Sequence, residues 1–207
     1  MNETPSCWDE HYKACRNIWA GNVVLPKLPP DSKVLEAGCG NGKNICAMKD
    51  CGWDITGFDF SNTAVHLCRN NLLKNMNAGI LVSDAAYLPF KDSTFDAVFA
   101  RHITGHSENA KRKIIAGELK RVLKSGGLLF FSDFEESDMR FDTGVNTEKG
   151  TFVKKNGIMT HFFSEEEVKE LFFDMVTESL TTLKWPLRIR GKEFIRAEIN
   201  AVFKKKA

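Results

Sequence analysis

The sequence contains no long hydrophobic run and almost no net charge. No apolar stretch approaches the roughly 20 residues that a transmembrane helix needs, so we expect no membrane span. Lysine and arginine number 29 against 27 acidic residues, which gives a formal net charge of +2. This balance shows no strong bias toward nucleic acid or toward a membrane surface.

Cysteine is absent from the last two thirds of the chain. The six cysteines stand at positions 7, 15, 39, 46, 51 and 68 and include no C-x2-C pair, so we predict no metal site. The first ten residues, MNETPSCWDE, are polar and acidic, which excludes a secretory signal with a basic start and an apolar core. Cysteines of this kind stay reduced in the cytosol, and we expect a cytoplasmic protein.

What the chain does have is an alternation of short apolar runs with amphipathic segments. At 207 residues and 43% hydrophobic, it is long enough for one well-buried core. Because strands alternate with helices, we predict one domain over residues 1–207, a three-layer α-β-α Rossmann-like fold with a seven-stranded, mostly parallel sheet. The last two strands have no helix between them and are expected to form a hairpin that makes the last strand antiparallel. The expected strands are 33–38, 54–60, 79–84, 95–100, 128–134, 176–183 and 193–203.

Capping residues and apolar spacing place the helices. A leading helix over 8–21 precedes a proline-containing linker that ends near residue 30, and a short helix follows over 44–51. Ser61 is expected to cap a helix that runs to about Met76. Ser107 is expected to cap a helix that ends at Gly126, with Ile114 on its buried side.

Residues 135–163 form an insert after the fifth strand, which we expect to act as a lid or a substrate wall. Within it, Asn156 and Gly157 predict a hairpin turn between two β-rich runs. Ser164 and Glu167 have capping-box spacing and begin a helix that reaches about Phe173.

Three glycines, Gly38, Gly40 and Gly42, stand at alternate positions in SKVLEAGCGNGKN, directly after the first strand. Glycine permits positive φ and a close approach of the backbone to a ligand. In a parallel sheet, ligands bind beyond the carboxyl ends of the strands, where the strand order reverses. We therefore expect a ligand at this turn.

Two nucleotide-binding patterns fit this turn poorly. The P-loop G-x-x-x-x-G-K-[ST] fails because Ala37 replaces its first glycine and Asn44 replaces its serine or threonine. The dinucleotide fingerprint G-x-G-x-x-G is weak because Lys43 stands where its last glycine belongs.

A third pattern fits over about residues 33–134. VLEAGCGNG resembles motif I of the class I S-adenosylmethionine-dependent methyltransferases, in which two hydrophobic residues precede Asp/Glu-x-Gly-x-Gly-x-Gly. TGFDFS resembles motif II, and SDAAYLPFKDSTFDAVFA resembles the block of motifs III and IV. ELKRVLKSGGLLFFSDF resembles the LxRVLKPGGxLxxxD signature, with Ser125 in place of the common proline.

The resemblance implies S-adenosylmethionine as cofactor and S-adenosylhomocysteine as product. It also implies a set of cofactor contacts. The glycine turn would pass under the methionine moiety, Glu36 would approach its ammonium group, and the end of the fourth strand would add backbone groups. A carboxylate would bind the ribose, and the third strand would bind the adenine. The residues implied for these contacts are Glu36, Gly38, Cys39, Gly40, Gly42, Asp59, Phe60, Asp84, Ala85 and Arg101.

On the acceptor side, the candidates for a general base are His102 and His106, in the segment ARHITGHS, with His161 as a third. Tyr12 is a further candidate, because it and Trp8 lie in the leading helix, which folds over the cofactor in many relatives.

We expect a small-molecule acceptor, because the basic residues of the helix over 107–127 do not form a distinct stripe. Two alternatives stay open. HSENAKRKIIAGELKRVLKSGG and THFFSEEEVKELF resemble tRNA wobble-uridine methyltransferases, which would make RNA, or else protein, the acceptor. In the second alternative, the chain binds the cofactor but is a non-catalytic scaffold partner. The sequence predicts no oligomeric state.

Overall fold

The structure is a computed structural model that describes residues 5–14, 23–72 and 78–207. These residues contain ten strands. They are β1 (Lys33–Ala37), β2 (Asp54–Asp59), β3 (Ala78–Val82), β4 (Phe95–Arg101), β5 (Leu123–Phe134), β6 (Val145–Glu148), β7 (Thr151–Val153), β8 (Met159–His161), β9 (Val176–Ile189) and β10 (Lys192–Lys204).

Seven of these strands form the main sheet, in the spatial order β3-β2-β1-β4-β5-β10-β9. The first five pair in parallel, whereas β10 runs antiparallel to both β5 and β9. The predicted fold class is confirmed, including the terminal hairpin. Because the strand order reverses between β1 and β4, a crevice opens beyond their carboxyl ends.

In the described part of the chain, five α-helices and one 3-10 turn flank the strands. They are α1 (Pro5–Ala14), α2 (Lys43–Ala47), α3 (Asn62–Asn71), α4 (Asn109–Val122) and α5 (Glu165–Leu171), with the 3-10 turn at Thr104–His106. Helices on both faces cover the central strands, which explains why β1 and β4 are almost continuously buried.

Two of the predicted helix caps are confirmed. The Ser61 hydroxyl accepts a hydrogen bond from the Ala64 N–H at 3.1 Å, and the Ser164 hydroxyl accepts one from the Glu167 N–H at 3.2 Å. The predicted extension of the leading helix over 15–21 lies outside the described residues. The helix capped by Ser61 was predicted to reach about Met76, whereas α3 ends at Asn71 because Leu72 adopts an extended backbone.

The bounds predicted for α4 were wrong at both ends. The 3-10 turn extends to His106, so Ser107 is an extended linker and Glu108 occupies the cap position. At the other end, the chain passes directly from Val122 into β5, and the Gly126 N–H donates to the Lys205 carbonyl at 2.9 Å. Ile114, expected to be buried, is 47% exposed.

The insert over 135–163 folds into a second, three-stranded sheet in the order β6-β7-β8. The predicted Asn156-Gly157 turn joins β7 to β8 in an antiparallel hairpin, whereas β6 was not predicted. Arg112 of α4 anchors the insert, since its buried guanidinium donates to Glu148 at 2.8 Å. Among the helices of residues 5–14, 23–72 and 78–207, none combines the length and apolar character needed to cross a bilayer.

Candidate functional site

A cavity of about 350 Å³ lies at the carboxyl ends of the parallel strands, between α1, α4 and the insert. Five residues implied as cofactor contacts line it, and they come from the ends of three strands: Gly38, Asp59, Phe60, Asp84 and Ala85. Three acceptor-side candidates line it as well, namely Tyr12, His102 and His106. The fold therefore brings together eight positions that are spread over more than ninety residues of the sequence.

The glycine turn after β1 is built from left-handed residues. Gly38, Gly40 and Gly42 have φ angles of 67°, 53° and 94°, a region that side chains other than glycine rarely adopt. Cβ atoms added at these positions would lie 3.2, 2.7 and 2.9 Å from side-chain atoms of Ile103, Tyr12 and Cys68, respectively. From the sequence we predicted that all three glycines allow the close approach of a ligand. The structure shows that they are also required for close packing within the protein.

Asp59 ties the end of β2 to this turn. Its buried carboxylate accepts hydrogen bonds from the Gly40 N–H and the Ser61 N–H, both at 2.9 Å. Burial raises the pKa of Asp59 to about 6, even though these hydrogen bonds favour the charged form. A carboxylate has about four acceptor sites, so the side chain keeps capacity for a ligand hydroxyl.

Glu36 lies behind the turn and does not itself line the cavity. It is only 1% exposed, and its Oε1 accepts a hydrogen bond from the Asn44 side-chain amide at 2.6 Å. Its buried Oε2 has no partner among the residues the structure describes. Burial raises the pKa of Glu36 to about 7. Leaving a buried acceptor unsatisfied costs roughly 1–3 kcal/mol, so the site fits a cationic group, or a water molecule bound by one, over the turn.

The end of β3 carries a charge pair that the sequence did not reveal. Asp84 accepts from the Ala86 N–H at 2.9 Å and forms an ion pair with Lys111 of α4 at 2.8 Å. Both side chains are half-exposed at the cavity. In the sequence, Lys111 was one of several basic residues on the helix surface, and nothing marked it as part of the site.

Besides Glu36, four other residues implied as cofactor contacts do not line the cavity. They are Cys39, Gly40, Gly42 and Arg101. The Cys39 side chain is buried beside the turn. Arg101 turns away, since its Nη2 donates to the Val24 carbonyl at 3.1 Å and its guanidinium lies 5.2 Å from the Phe99 ring centre.

His106 is held in one tautomer. Its Nδ1 lies 2.6 Å from the Met159 carbonyl, which can only accept, so Nδ1 carries the proton and Nε2 is the ring's acceptor. Burial lowers the pKa of His106, so the ring is neutral near pH 7. Its edge-on contact with Trp8, at 4.8 Å between ring centres, fixes the ring against α1.

His102 has the opposite charge state. Its ring stacks on Phe134 at 4.3 Å, with Nε2 3.3 Å from Glu198 and Nδ1 3.8 Å from Asp133. Burial by itself would lower the pKa of His102, but the two carboxylates raise it to about 9. His102 is therefore a cation at neutral pH and cannot act as a base there. His102 directly follows β4, and its backbone is strained, with a φ of +52°.

The first helix covers the cavity. Asp9 accepts hydrogen bonds from the Ser61 hydroxyl and, at 3.0 Å, from the Thr63 N–H, which docks α1 on the start of α3. Trp8 and Tyr12 then line the cavity, as predicted for the leading helix. His161 lies elsewhere and pairs with Glu167 at 2.9 Å.

Comparison with known proteins agrees with this geometry. A family profile described as a methyltransferase domain matches residues 35–131. The chain is 34% identical to the 2-methyl-6-phytyl-1,4-hydroquinone methyltransferase of Synechocystis over 59% of its own length and 37% of that protein. It is 26% identical to the tRNA N(3)-methylcytidine methyltransferase Mettl2 of Drosophila melanogaster, over 99% of its own length and 72% of that protein.

A solved structure of a SAM-dependent methyltransferase from Methanosarcina mazei superposes with a TM-score of 0.73 and 22% identity, over 87% of this chain and 95% of that one. At this identity the likeness shows the fold. Many of the curated relatives are longer, and the chain spans less than half of several of them. Residues 35–131 match a methyltransferase domain, and the strand order and the glycine turn are those of the class I fold of S-adenosylmethionine-dependent methyltransferases.

Proposed function

We propose that the chain binds S-adenosylmethionine in this cavity and transfers the methyl group to an acceptor that enters beside His106. The observation that carries this proposal is the convergence of Gly38, Asp59 and Asp84 from three different strand ends on one cavity at the point where the strand order reverses.

The cofactor, when bound, supplies an electrophilic methyl group on a sulfonium. The chain's own residues bind and orient it in this proposal. Asp59 accepts from the ribose hydroxyls, and Phe60 packs against the adenine. The unsatisfied Oε2 of Glu36 faces the charge of the ammonium group, directly or through water. Lys111 holds Asp84 in place at the adenine end.

On the acceptor side, His106 and His102 take different roles. The neutral Nε2 of His106 accepts the proton that an acceptor hydroxyl or amine loses as it is methylated. The charge of His102 is already neutralised by Asp133 and Glu198, so His102 shapes the acceptor wall without acting as a base. Trp8 and the rest of α1 keep bulk water away from the reacting atoms.

For the acceptor, a small molecule is the first candidate. The cavity volume lies within the range of small-ligand sites, and one relative methylates a hydroquinone according to its name. RNA is the second candidate. It is favoured by the relative that aligns with 99% of this chain, which is a tRNA methyltransferase.

The test is mass spectrometry of cell extract incubated with the protein and isotopically methyl-labelled S-adenosylmethionine. We expect one labelled product that is absent when a Gly40→Val variant replaces the protein. Loss of the label after RNase treatment would identify RNA as the acceptor. Binding of S-adenosylhomocysteine with no labelled product from any extract would contradict the enzyme and favour the scaffold alternative.

A further inference from the structure

Two arginines share one buried carboxylate next to the cavity. Asp138 accepts from Nε and Nη2 of Arg140 at 2.7 and 3.2 Å, from Nε of Arg196 at 2.8 Å and from the Ala197 N–H at 3.1 Å. Burial alone would raise the pKa of Asp138, but these hydrogen bonds lower it to about 2. Asp138 is therefore always ionised near neutral pH, and it fixes both guanidinium groups.

The fixed guanidinium groups keep unused donors. Each arginine has five N–H groups, and Asp138 takes only those named above. The Nη1 atom of Arg140 and both Nη atoms of Arg196 have no hydrogen-bond partner within the described part of the chain. The side chains are 27% and 20% exposed, so these donors remain accessible.

A third cation completes the cluster. Lys154 lies in the β7–β8 turn, where its N–H donates to the Ile158 carbonyl at 3.0 Å. Its side chain is partly buried and forms no ion pair with any residue of 5–14, 23–72 or 78–207. Burial, together with the charges of Arg140 and Arg196, lowers the pKa of Lys154. Glu135 accepts from the Ser137 N–H at 2.9 Å and pairs with Lys184 at 3.8 Å.

The cluster lies directly behind the cavity wall. The His102 ring stacks on Phe134 at 4.3 Å, and the Arg140 guanidinium lies 3.8 Å from the centre of the same ring. Two groups this close to one ring must occupy its opposite faces, so a single ring separates Arg140 from the cavity-lining His102. The β7–β8 hairpin continues to Met159, which also lines the cavity and binds His106.

We infer that Arg140, Arg196 and Lys154 form a phosphate-binding subsite beside the cavity, so that the methyl acceptor is a phosphate-bearing molecule. Guanidinium groups that are already oriented match the oxygens of a phosphate, and a lysine adds a point charge. Two arginines that share one carboxylate leave a positive charge for an anion to neutralise. The inference rests on the proposed methyl transfer and narrows its acceptor.

The terminal hairpin extends this positive surface. β10 pairs with β5 only from Glu198 to Lys204, so residues 183–197 project as a two-stranded arm beyond the carboxyl end of β5. Most of the arm is exposed, and its charged residues are Lys184, Arg188, Arg190, Lys192, Glu193 and Arg196. Because Arg196 belongs both to the subsite and to the arm, an RNA backbone bound at the subsite would continue along the arm. A phosphorylated small molecule would occupy the subsite alone.

The test measures the affinity of the full chain for two probes. They are a fluorescein-labelled single-stranded RNA of about 20 nucleotides, followed by anisotropy, and uridine 5′-monophosphate, followed by calorimetry. Lys154→Gln is the main variant, because the Lys154 side chain has no ion-pair partner among the described residues whose loss would destabilise the fold. Arg140→Lys is the second variant, since it keeps a positive charge beside the Asp138 carboxylate but removes the planar guanidinium group. Lys113→Gln on the exposed face of α4 is the matched control.

We expect Lys154→Gln and Arg140→Lys each to weaken binding of at least one probe about tenfold, and Lys113→Gln to leave it unchanged. If RNA is the source of the phosphate, the double variant Arg188→Gln/Arg190→Gln also weakens RNA binding and reduces its salt dependence. If a small molecule is the source, the monophosphate binds and the arm variant has no effect. The inference would be overturned if the chain bound neither probe. It would also be overturned if neither subsite variant changed the affinity for either probe.

Binding of S-adenosylhomocysteine is measured on the same samples, so that a failure of this inference can be distinguished from a failure of the proposed methyl transfer. Normal binding of S-adenosylhomocysteine without a Lys154-dependent phosphate site would overturn the subsite alone. Absence of S-adenosylhomocysteine binding by a folded wild-type chain would instead overturn the proposed methyl transfer, and with it the assignment of the phosphate-bearing molecule as acceptor.

Discussion

The two halves of the cavity are built in different ways. The half proposed to bind the cofactor, the cofactor half, comes from residues 38–85, where the ends of three parallel strands, β1, β2 and β3, present a glycine turn and two carboxylates. The half proposed to bind the acceptor, the acceptor half, is assembled from side chains of separate segments, with His106 bound by the insert and His102 held by β5 and β10. Local backbone geometry defines the first half, whereas long-range contacts define the second.

This difference has a functional meaning. A ligand shared by a whole family can be bound by one conserved type of turn, while the acceptor wall can change with each insert or hairpin. Substitutions in the cofactor half should therefore change the affinity for S-adenosylhomocysteine. Substitutions in the acceptor half should change turnover and leave that affinity intact.

The largest effect is expected at Gly40. Gly40→Val forces a β-branched residue into a left-handed conformation and drives its Cβ to 2.7 Å from the Tyr12 hydroxyl, which displaces α1 from the cavity. We expect loss of S-adenosylhomocysteine binding by more than about 100-fold in calorimetry, with the fold retained by circular dichroism.

Gly117→Ala on α4 is the matched control, because a Cβ there meets nothing within 4 Å. Normal affinity in Gly40→Val would show that the contact between Gly40 and α1 is not needed for cofactor binding.

The next effect is expected at His106 in the acceptor half. His106→Asn keeps a donor for the Met159 carbonyl and removes the basic Nε2, so kcat should fall by about 10²–10⁴-fold. The affinity for S-adenosylhomocysteine should stay unchanged. Because the pKa of His106 is lowered, the wild-type rate should decline only below about pH 6.5. An acidic decline centred above pH 7 would exclude His106 as the base.

A smaller effect is expected at Asp59. Asp59→Ala removes the acceptor for the ribose and releases the Gly40 N–H, so affinity for S-adenosylhomocysteine should fall by about 1.5–3 kcal/mol. Asp54→Ala, at the opposite and exposed end of the same strand, should have no effect. If calorimetry gave equal affinities for the two variants, Asp59 would not belong to the site.

The smallest effect is a pH dependence of stability that comes from His102. Its pKa is raised to about 9 in the folded state, so its contribution is complete below about pH 6.5 and is lost as pH rises through 9. The side chain is 34% exposed, so screening reduces the effect to about 1 kcal/mol. Denaturant titrations at pH 6.5 and 9.5 should show a smaller difference for His102→Gln than for wild type. An equal difference would rule out the charged form.

Sequence reasoning predicted most of the fold because its signals are local. Apolar runs placed the seven strands, and the Ser61 and Ser164 caps depend on residues only three positions away. The α4 boundaries failed because the 3-10 turn and the direct passage into β5 depend on tertiary pairing. Strand β6 was missed because its exposed residues, Val145 to Glu148, carry no apolar alternation.

The site divides in the same way. The motif series indicated Asp59 and Asp84, but Lys111 and the charge states of the two histidines depend on partners far away in sequence. The link between His106 and Met159 spans 53 residues. A single sequence contains no signal for such a pair.

The most direct measurement is a crystal structure of the chain grown with saturating S-adenosylhomocysteine. We predict that the product lies in the cavity, with its ribose at Asp59, its adenine at the Asp84 end and its amino group on the side of Glu36. An empty cavity at a concentration that saturates binding in solution, or the product bound at another surface, would contradict it.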